Sequence, residues 1–192
     1  MSELTIVIPV RKGGSPETTL SSLAEQTLRD FEVIVSWDKK ANANWARNQG
    51  AKLAKTEFIL FSDDDILWKP TAIQLMVNVL KASPEVAYVY GSYEMDGKVQ
   101  CYSPFSAEEL RRHSCISTMS VIRREAFPGF DEQLERLQDW DMWLTMLAAG
   151  KIGVSCGRQI FSTREGNGIT YGGNGPTWEE ARAIVRRKHG LA

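Results

Sequence analysis

Leu4 to Val10 is an almost unbroken apolar run that stops at the polar segment Arg11-Lys12-Gly13-Gly14. A short apolar run bounded by turn residues predicts a strand buried on both faces. Ser15-Pro16 then offers a helix cap followed by proline at the first helical position, and Leu20, Leu23, Ala24 and Leu28 recur at helical spacing. Phe31 to Trp37 is a second apolar, β-branched strand, residues 46–55 form a helix, and Glu57 to Phe61 is a third strand ending at Ser62-Asp63-Asp64-Asp65. Pro70 opens a helix carrying Ile73, Leu75, Met76, Val79 and Leu80, and Val86 to Tyr90 returns as a strand. Asp96-Gly97 predicts a tight hairpin turn. Later segments predict a strand over 116–122, a helix over 140–149, short strands over 152–154 and 159–162, and a last helix over 179–188.

This alternation predicts an α/β fold with a mostly parallel, Rossmann-like central sheet flanked by helices, turning mixed at the hairpin. No repeat, low-complexity tract or linker divides the chain. Ligands of such sheets bind at the carboxyl ends of the strands, so the loops 11–15, 37–41 and 62–65 should converge there. Three adjacent carboxylates at a strand end repel one another. A hard divalent cation with oxygen ligands would relieve that repulsion. On spacing alone, a solvated acidic turn that caps the next helix is an equal reading.

Composition narrows the field. With 43% hydrophobic and 24% charged residues the chain reads as soluble and globular, and a net charge of −1 offers no field for nucleic acid or an anionic membrane. Arg186-Arg187-Lys188 reads as a solvated helix end, whose charge suits the helix dipole. Met1 to Val7 lacks the marks of a signal peptide, and no window reaches the roughly 18 apolar residues of a membrane span, so a cytoplasmic location is expected. Cys101, Cys115 and Cys156 lack metal spacing and read as reduced, structural thiols. His113 and His189 share no motif and read as surface or interface residues. No GxGxxG follows the first strand and no Walker-type loop exists, which disfavours dinucleotide oxidoreductases and P-loop enzymes.

The ordered pieces Thr5-Ile6-Val7-Ile8-Pro9-Val10, Ser22-Leu23-Ala24-Glu25-Gln26-Thr27, Phe31-Glu32-Val33-Ile34-Val35, Ala46-Arg47-Asn48-Gln49-Gly50, Phe58 to Asp65 and Gln138-Asp139-Trp140-Asp141-Met142-Trp143-Leu144 resemble the family 2 glycosyltransferases. The resemblance spans approximately residues 4–165 and implies a single-domain GT-A fold over 1–192. Residues up to about 90 would form the nucleotide-sugar half, and about 91–192 the acceptor half. It implies that Pro9, Val10, Arg11, Asp38, Arg47, Asp63 and Asp64 line the nucleotide sugar. Asp65, with Asp63, would hold Mn²⁺ or Mg²⁺, and Asp139 would be the catalytic base. The implied reaction is inverting transfer from a nucleoside-diphosphate sugar, UDP-linked by the family's habit, to a glycan, lipid-linked or other hydroxyl acceptor. A homo-oligomer or membrane-associated partner would complement a short acceptor half.

The chain also departs from the family pattern. Trp37 stands where many relatives carry an aspartate and reads as the end of a buried strand ahead of a base-stacking platform. Gln138 replaces a frequent glutamate. The segment Glu165-Gly166-Asn167-Gly168 lacks the family's late histidine, leaving Arg164 or Asn167 as replacements, and the glycines over 165–175 read as a lid or a plain loop. Tyr102, Phe105 and Trp140 are candidates for stacking on sugar rings, with Trp143 assigned to the core. Two other readings stand beside the transferase: a non-catalytic sugar-nucleotide or glycan-binding module with a decayed site, and a nucleotidyltransferase.

Overall fold

The first strand, β1 (Leu4–Val10), is buried at every position, and its apolar run is sandwiched on both faces. Leu4, Ile6, Ile8 and Val10 point into one core, while Val7 points into the other, the two-residue period of a pleated strand. We describe residues 2–101, 104–163 and 175–191 of a computed structural model. The readings made for Tyr102, Arg164, Asn167 and most of the glycine-rich segment lie outside the described residues.

β1 pairs in parallel with β2 (Phe31–Trp37) on one side and β3 (Phe58–Phe61) on the other. The crossovers contain α1 (Glu17–Ala24) and α2 (Ala43–Leu53). Gly50 lets α2 approach β1 closely, because a β-carbon there would lie 2.3 Å from Val7 Cγ1. β4 (Leu67–Trp68) and α3 (Ala72–Ala82) follow, then β5 (Tyr88–Met95) and β6 (Lys98–Gln100), joined by Asp96 and Gly97 at φ of 48° and 77°. Both positive dihedrals match the hairpin turn expected from the Asp-Gly pair.

Beyond the hairpin come α4 (Ala107–Arg112), β7 (Val121–Arg123), α5 (Gln138–Ala148), β8 (Gly153–Thr163) and α6 (Trp178–Lys188). The sheet order is β2-β1-β3-β7-β5-β8-β4, with β6 on β5. β7 lies antiparallel between β3 and β5, so strands from both halves of the sequence share one sheet. The strand expected over 116–122 is confined to β7, and the two expected over 152–162 are one strand. The register against β5 slips between Tyr90 and Tyr93, where Gly157 turns to φ 67°. This bulge mimicked a loop in the sequence.

One core lies under α1 and α3, and the other under α5 and α6. Trp140 and Trp143 are both fully buried in the second. Trp143 stacks on Tyr88 with centroids 4.3 Å apart and donates from Nε1 to Ile116 O at 3.0 Å. Trp140 Nε1 donates to Leu110 O at 2.6 Å, so Trp140 is a core anchor and not a sugar-stacking surface. Phe105 is half-buried against Tyr88. Trp37, in contrast, is 51% exposed at the end of edge strand β2, which corrects its reading as a buried strand end.

The C-terminal cations are partly engaged. Lys188 Nζ pairs with Asp131 at 2.6 Å and with Asp141 at 2.9 Å, and His189 Nε2 lies 2.8 Å from Asp141 Oδ1. They dock α6 against α5, so Lys188 is not simply a solvated helix end. Among the described residues no helix is long and apolar enough to cross a membrane.

Candidate active site

The parallel arrangement of β1, β2 and β3 brings their carboxyl-terminal loops to one edge. Asp38 N donates to Val10 O at 2.8 Å and Ser62 N to Val7 O at 3.0 Å, which fixes the second and third loops to the first strand. Pro9 and Val10 are buried, so Arg11 is the exposed member of the first loop's candidates. Asp38 lies at the same edge, but its Oδ1 accepts from Lys40 N at 2.9 Å and caps its own loop.

The aspartate loop and β4 after it are held from below by polar side chains of α1 and by Gln26 just beyond it. Thr19 Oγ1 donates to Asp63 O at 2.8 Å and accepts from Ile66 N at 2.9 Å. Ser22 Oγ accepts from Trp68 N at 3.2 Å, and Gln26 Nε2 donates to Lys69 O at 2.9 Å. Trp68 Nε1 donates to the buried Ser62 Oγ at 2.9 Å. Thr19 and Ser22 share the inner face of α1 with Leu23, and Gln26 is buried just beyond the helix end, whereas Leu20 is 37% exposed. Sequence reasoning missed this role, and the signal was a polar stripe at i, i+3 and i+7. Replacing Thr19 with valine keeps the shape but leaves buried main-chain groups of the loop unpaired. Urea unfolding should show a loss of about 1–3 kcal/mol.

The three aspartates differ in their surroundings. Asp63 Oδ1 accepts from Arg47 Nη2 at 2.7 Å. Asp64 faces the first loop, since a β-carbon on Gly14 would lie 3.0 Å from its Oδ2. Burial and then the Asp63 charge push the Asp64 carboxyl above the usual carboxylate range, against the pull of backbone hydrogen bonding and Arg11. Asp65, the exposed member, is pushed up by partial burial and then by Asp63 and Asp64. Asp65 also lines a cleft of about 520 Å³ with Thr18, Leu67, Glu94, Asp96 and Thr163.

This charge pattern, in which burial and the neighbouring carboxylates push Asp64 and Asp65 up while Arg11 draws them down, fits a divalent cation at these two side chains. Among the described residues no group of three or more His, Cys, Asp or Glu side chains is arranged to hold a metal ion. A Mg²⁺-type site needs only one or two carboxylates, with water and phosphate oxygens completing the shell.

Asp139 stands in the first turn of α5, behind Leu137 at a left-handed φ of 58°. Oδ1 accepts from Trp140 N at 2.8 Å, and Ser114 Oγ lies 3.5 Å from Oδ2. Burial pushes the carboxyl above its usual range, while the Trp140 N–H, Arg47 and Ser114 draw it down. Cys101 and Cys115 line the same region, and burial raises their thiols to about 12 and about 11. Such thiols are un-ionised near neutral pH, as expected of structural cysteines.

The structure therefore gathers Arg47 with Asp63, and Arg11 with Asp64 and Asp65. Through the charge of Arg47 it also relates Asp139 to this group.

Residues 37–128 match the family model described as Glycosyl transferase family 2. A Haemophilus influenzae protein described as an uncharacterized glycosyltransferase is 26% identical over 75% of this chain and 62% of its own length. WfgD of Escherichia coli, named as a UDP-Glc:α-D-GlcNAc-diphosphoundecaprenol β-1,3-glucosyltransferase, is 22% identical over 72% of this chain and 67% of its own. Among solved structures, Staphylococcus aureus TarS 1–349 in complex with UDP-GlcNAc superposes with a TM-score of 0.76 at 14% identity, covering 98% of this chain and 65% of that one. The chain thus spans about two thirds or less of the length of these relatives. The fold is GT-A, with the mixed sheet and flanking helices described above. The family match over residues 37–128, the motif order and the fold together support a family 2 glycosyltransferase.

Proposed function

We propose that this domain transfers a sugar, with inversion, from a nucleoside-diphosphate sugar to an acceptor hydroxyl. The observation that carries the reading is the division of carboxylates into two groups. The aspartate loop lies at the carboxyl end of β3, and Asp139 lies at the start of α5, with Arg47 acting on both. Asp65, with Asp64 beside it, would hold Mn²⁺ or Mg²⁺, which supplies Lewis-acid charge for the departing diphosphate. One oxygen of Asp63 is taken by Arg47, so Asp65 rather than Asp63 carries the metal role in this reading.

Asp139 accepts the proton of the attacking hydroxyl, and Trp140 N–H and Ser114 hold its carboxylate for that task. Arg11 and the Asp38 loop lie at the same edge and line the nucleotide. WfgD is named for UDP-glucose and a diphosphoundecaprenol-linked acceptor, and TarS was solved with UDP-GlcNAc. These names favour a uridine diphosphate donor and a membrane-borne or glycan hydroxyl acceptor.

A thermal-shift and calorimetric panel of nucleotide sugars with and without Mn²⁺ tests this directly. Metal-dependent binding of a UDP-sugar is expected, followed by UDP release when an acceptor is supplied. Binding of no donor under either condition would sink the reading. Donor binding without turnover over a broad acceptor set would favour a binding module, and pyrophosphate as product would favour a nucleotidyltransferase.

A further inference from the structure

The resemblance placed Arg47 at the nucleotide, but its surroundings are of another kind. The side chain is 5% exposed, with Nη2 on Asp63 Oδ1 at 2.7 Å and Nη1 on Asn44 Oδ1 at 3.2 Å. Its guanidinium carbon stands 5.5 Å from the centre of the Phe130 ring, within range of a cation–π contact. The buried Nε–H has no hydrogen-bond partner among the described residues.

Neighbouring residues on α2 extend this contact toward α5. Asn44 Nδ2 donates to Asp131 O at 3.0 Å and to Leu134 O at 2.8 Å. Asn48 Nδ2 donates to Phe130 O at 2.9 Å, and its Oδ1 accepts from Phe130 N at 2.9 Å. Asn44, Arg47 and Asn48 are spaced i, i+3 and i+4, so one helix face grips two segments. One is the aspartate loop. The other, 130–134, leads through the left-handed Leu137 into Asp139. Nη2 spends one N–H on Asp63 and Nη1 one on Asn44, so the plane of the guanidinium is fixed by the two segments it joins.

We propose that Arg47 is a positioning residue that locks the aspartate loop to the segment carrying Asp139. The proposal rests on the glycosyl-transfer reading for its kinetic consequences, but its structural content is independent of that reading. Its positive charge also favours the ionised form of Asp139.

Arg47→Met, Arg47→Lys, Asp63→Asn and the Arg47→Met/Asp63→Asn pair test it, with UDP and Mn²⁺ as the binding probe and UDP-glucose as donor. Arg47→Met should lower kcat about 100-fold, the size of loss that a small misplacement produces, with a much smaller change in the Kd for UDP and the donor KM. Arg47→Lys should recover part of kcat, because it keeps the charge while losing the fork. The double variant should be no worse than Arg47→Met, since both changes break one link. An increase of about tenfold in the UDP Kd and donor KM at unchanged kcat would overturn the proposal, because that is the signature of a lost binding contact.

Hydrogen–deuterium exchange on the free protein separates this from the transfer reading. Arg47→Met, or Arg47→Lys should the former not fold, should raise exchange in both 62–66 and 130–140. Wild type that neither binds UDP nor transfers would end the transfer reading alone. Unchanged exchange in either segment would overturn the positioning role.

Discussion

Replacing Asp139 with asparagine should lower the transfer rate by about 10²–10⁴-fold, the usual contribution of a positioned general base. Asparagine has the same shape and keeps an oxygen to accept from Trp140 N, which now bonds Oδ1 at 2.8 Å, so α5 should start as before. Nucleotide-sugar binding should be unchanged, because the proposed donor contacts lie on the loops after β1, β2 and β3. The substitution removes only the capacity to take a proton. Calorimetry for binding and UDP release for turnover, on one preparation, check both halves of this expectation.

The pH dependence follows from the same carboxyl. Burial raises its folded-state pKa above the unfolded value, with Trp140 N–H and Arg47 opposing. The base is inactive when protonated, so the acid limb of kcat should lie above the usual carboxylate range. The stability sign is opposite to that of a salt-bridged aspartate. A raised folded pKa contributes stability that is complete below the unfolded pKa and is lost as pH rises through the folded one. Asp139→Asn should therefore unfold at a higher temperature than wild type near neutral pH.

The second large effect is expected at Asp65. Asp65→Asn should reduce Mn²⁺-dependent donor affinity by at least about tenfold, since even indirect perturbation of a metal site costs that much. Wild type with Mn²⁺ and UDP at a hundred times their Kd should gain about 2.7 kcal/mol. That is a rise of about 5–11 °C in Tm for a chain of this size. The variant should lose most of this gain.

In metal-free buffer the order should reverse. Asp65 is pushed up by burial and by Asp63 and Asp64, so its ionisation works against the fold as pH rises through its folded pKa. Removing that charge should raise Tm near neutral pH when no cation is present. A residue that weakens the empty site and strengthens the filled one is characteristic of a binding position.

The sheet half of the site was legible because β1 and β3 are buried on both faces and are written in almost unbroken apolar residues. The parallel order then follows from the crossover helices, and the convergence of loops from the order. What supports those loops was not legible. Thr19, Ser22 and Gln26 are polar, and their spacing alone did not show that their hydroxyls and amide satisfy main-chain groups of the aspartate loop and of β4 after it.

Trp140 misled in the other direction, because an aromatic residue near a candidate base suits a sugar platform and a core equally until its packing is seen. Arg47 was identified by its motif, but its direction is set by Asn44 and Phe130, and Phe130 lies 83 residues further along the chain. No local pattern encodes that pairing. The bulge at Gly157 hid the continuity of β8 for a similar reason, since it is defined by the register against β5.

The central claim is inverting transfer at the aspartate edge with Asp139 as base. The proton NMR spectrum of the product formed from UDP-α-[¹³C]glucose, Mn²⁺ and a GlcNAc-diphosphate-lipid acceptor tests it most directly. The account predicts a new β-anomeric signal that appears with UDP and is absent with Asp139→Asn. An α-anomeric product, or a β-product formed equally by Asp139→Asn, would contradict it.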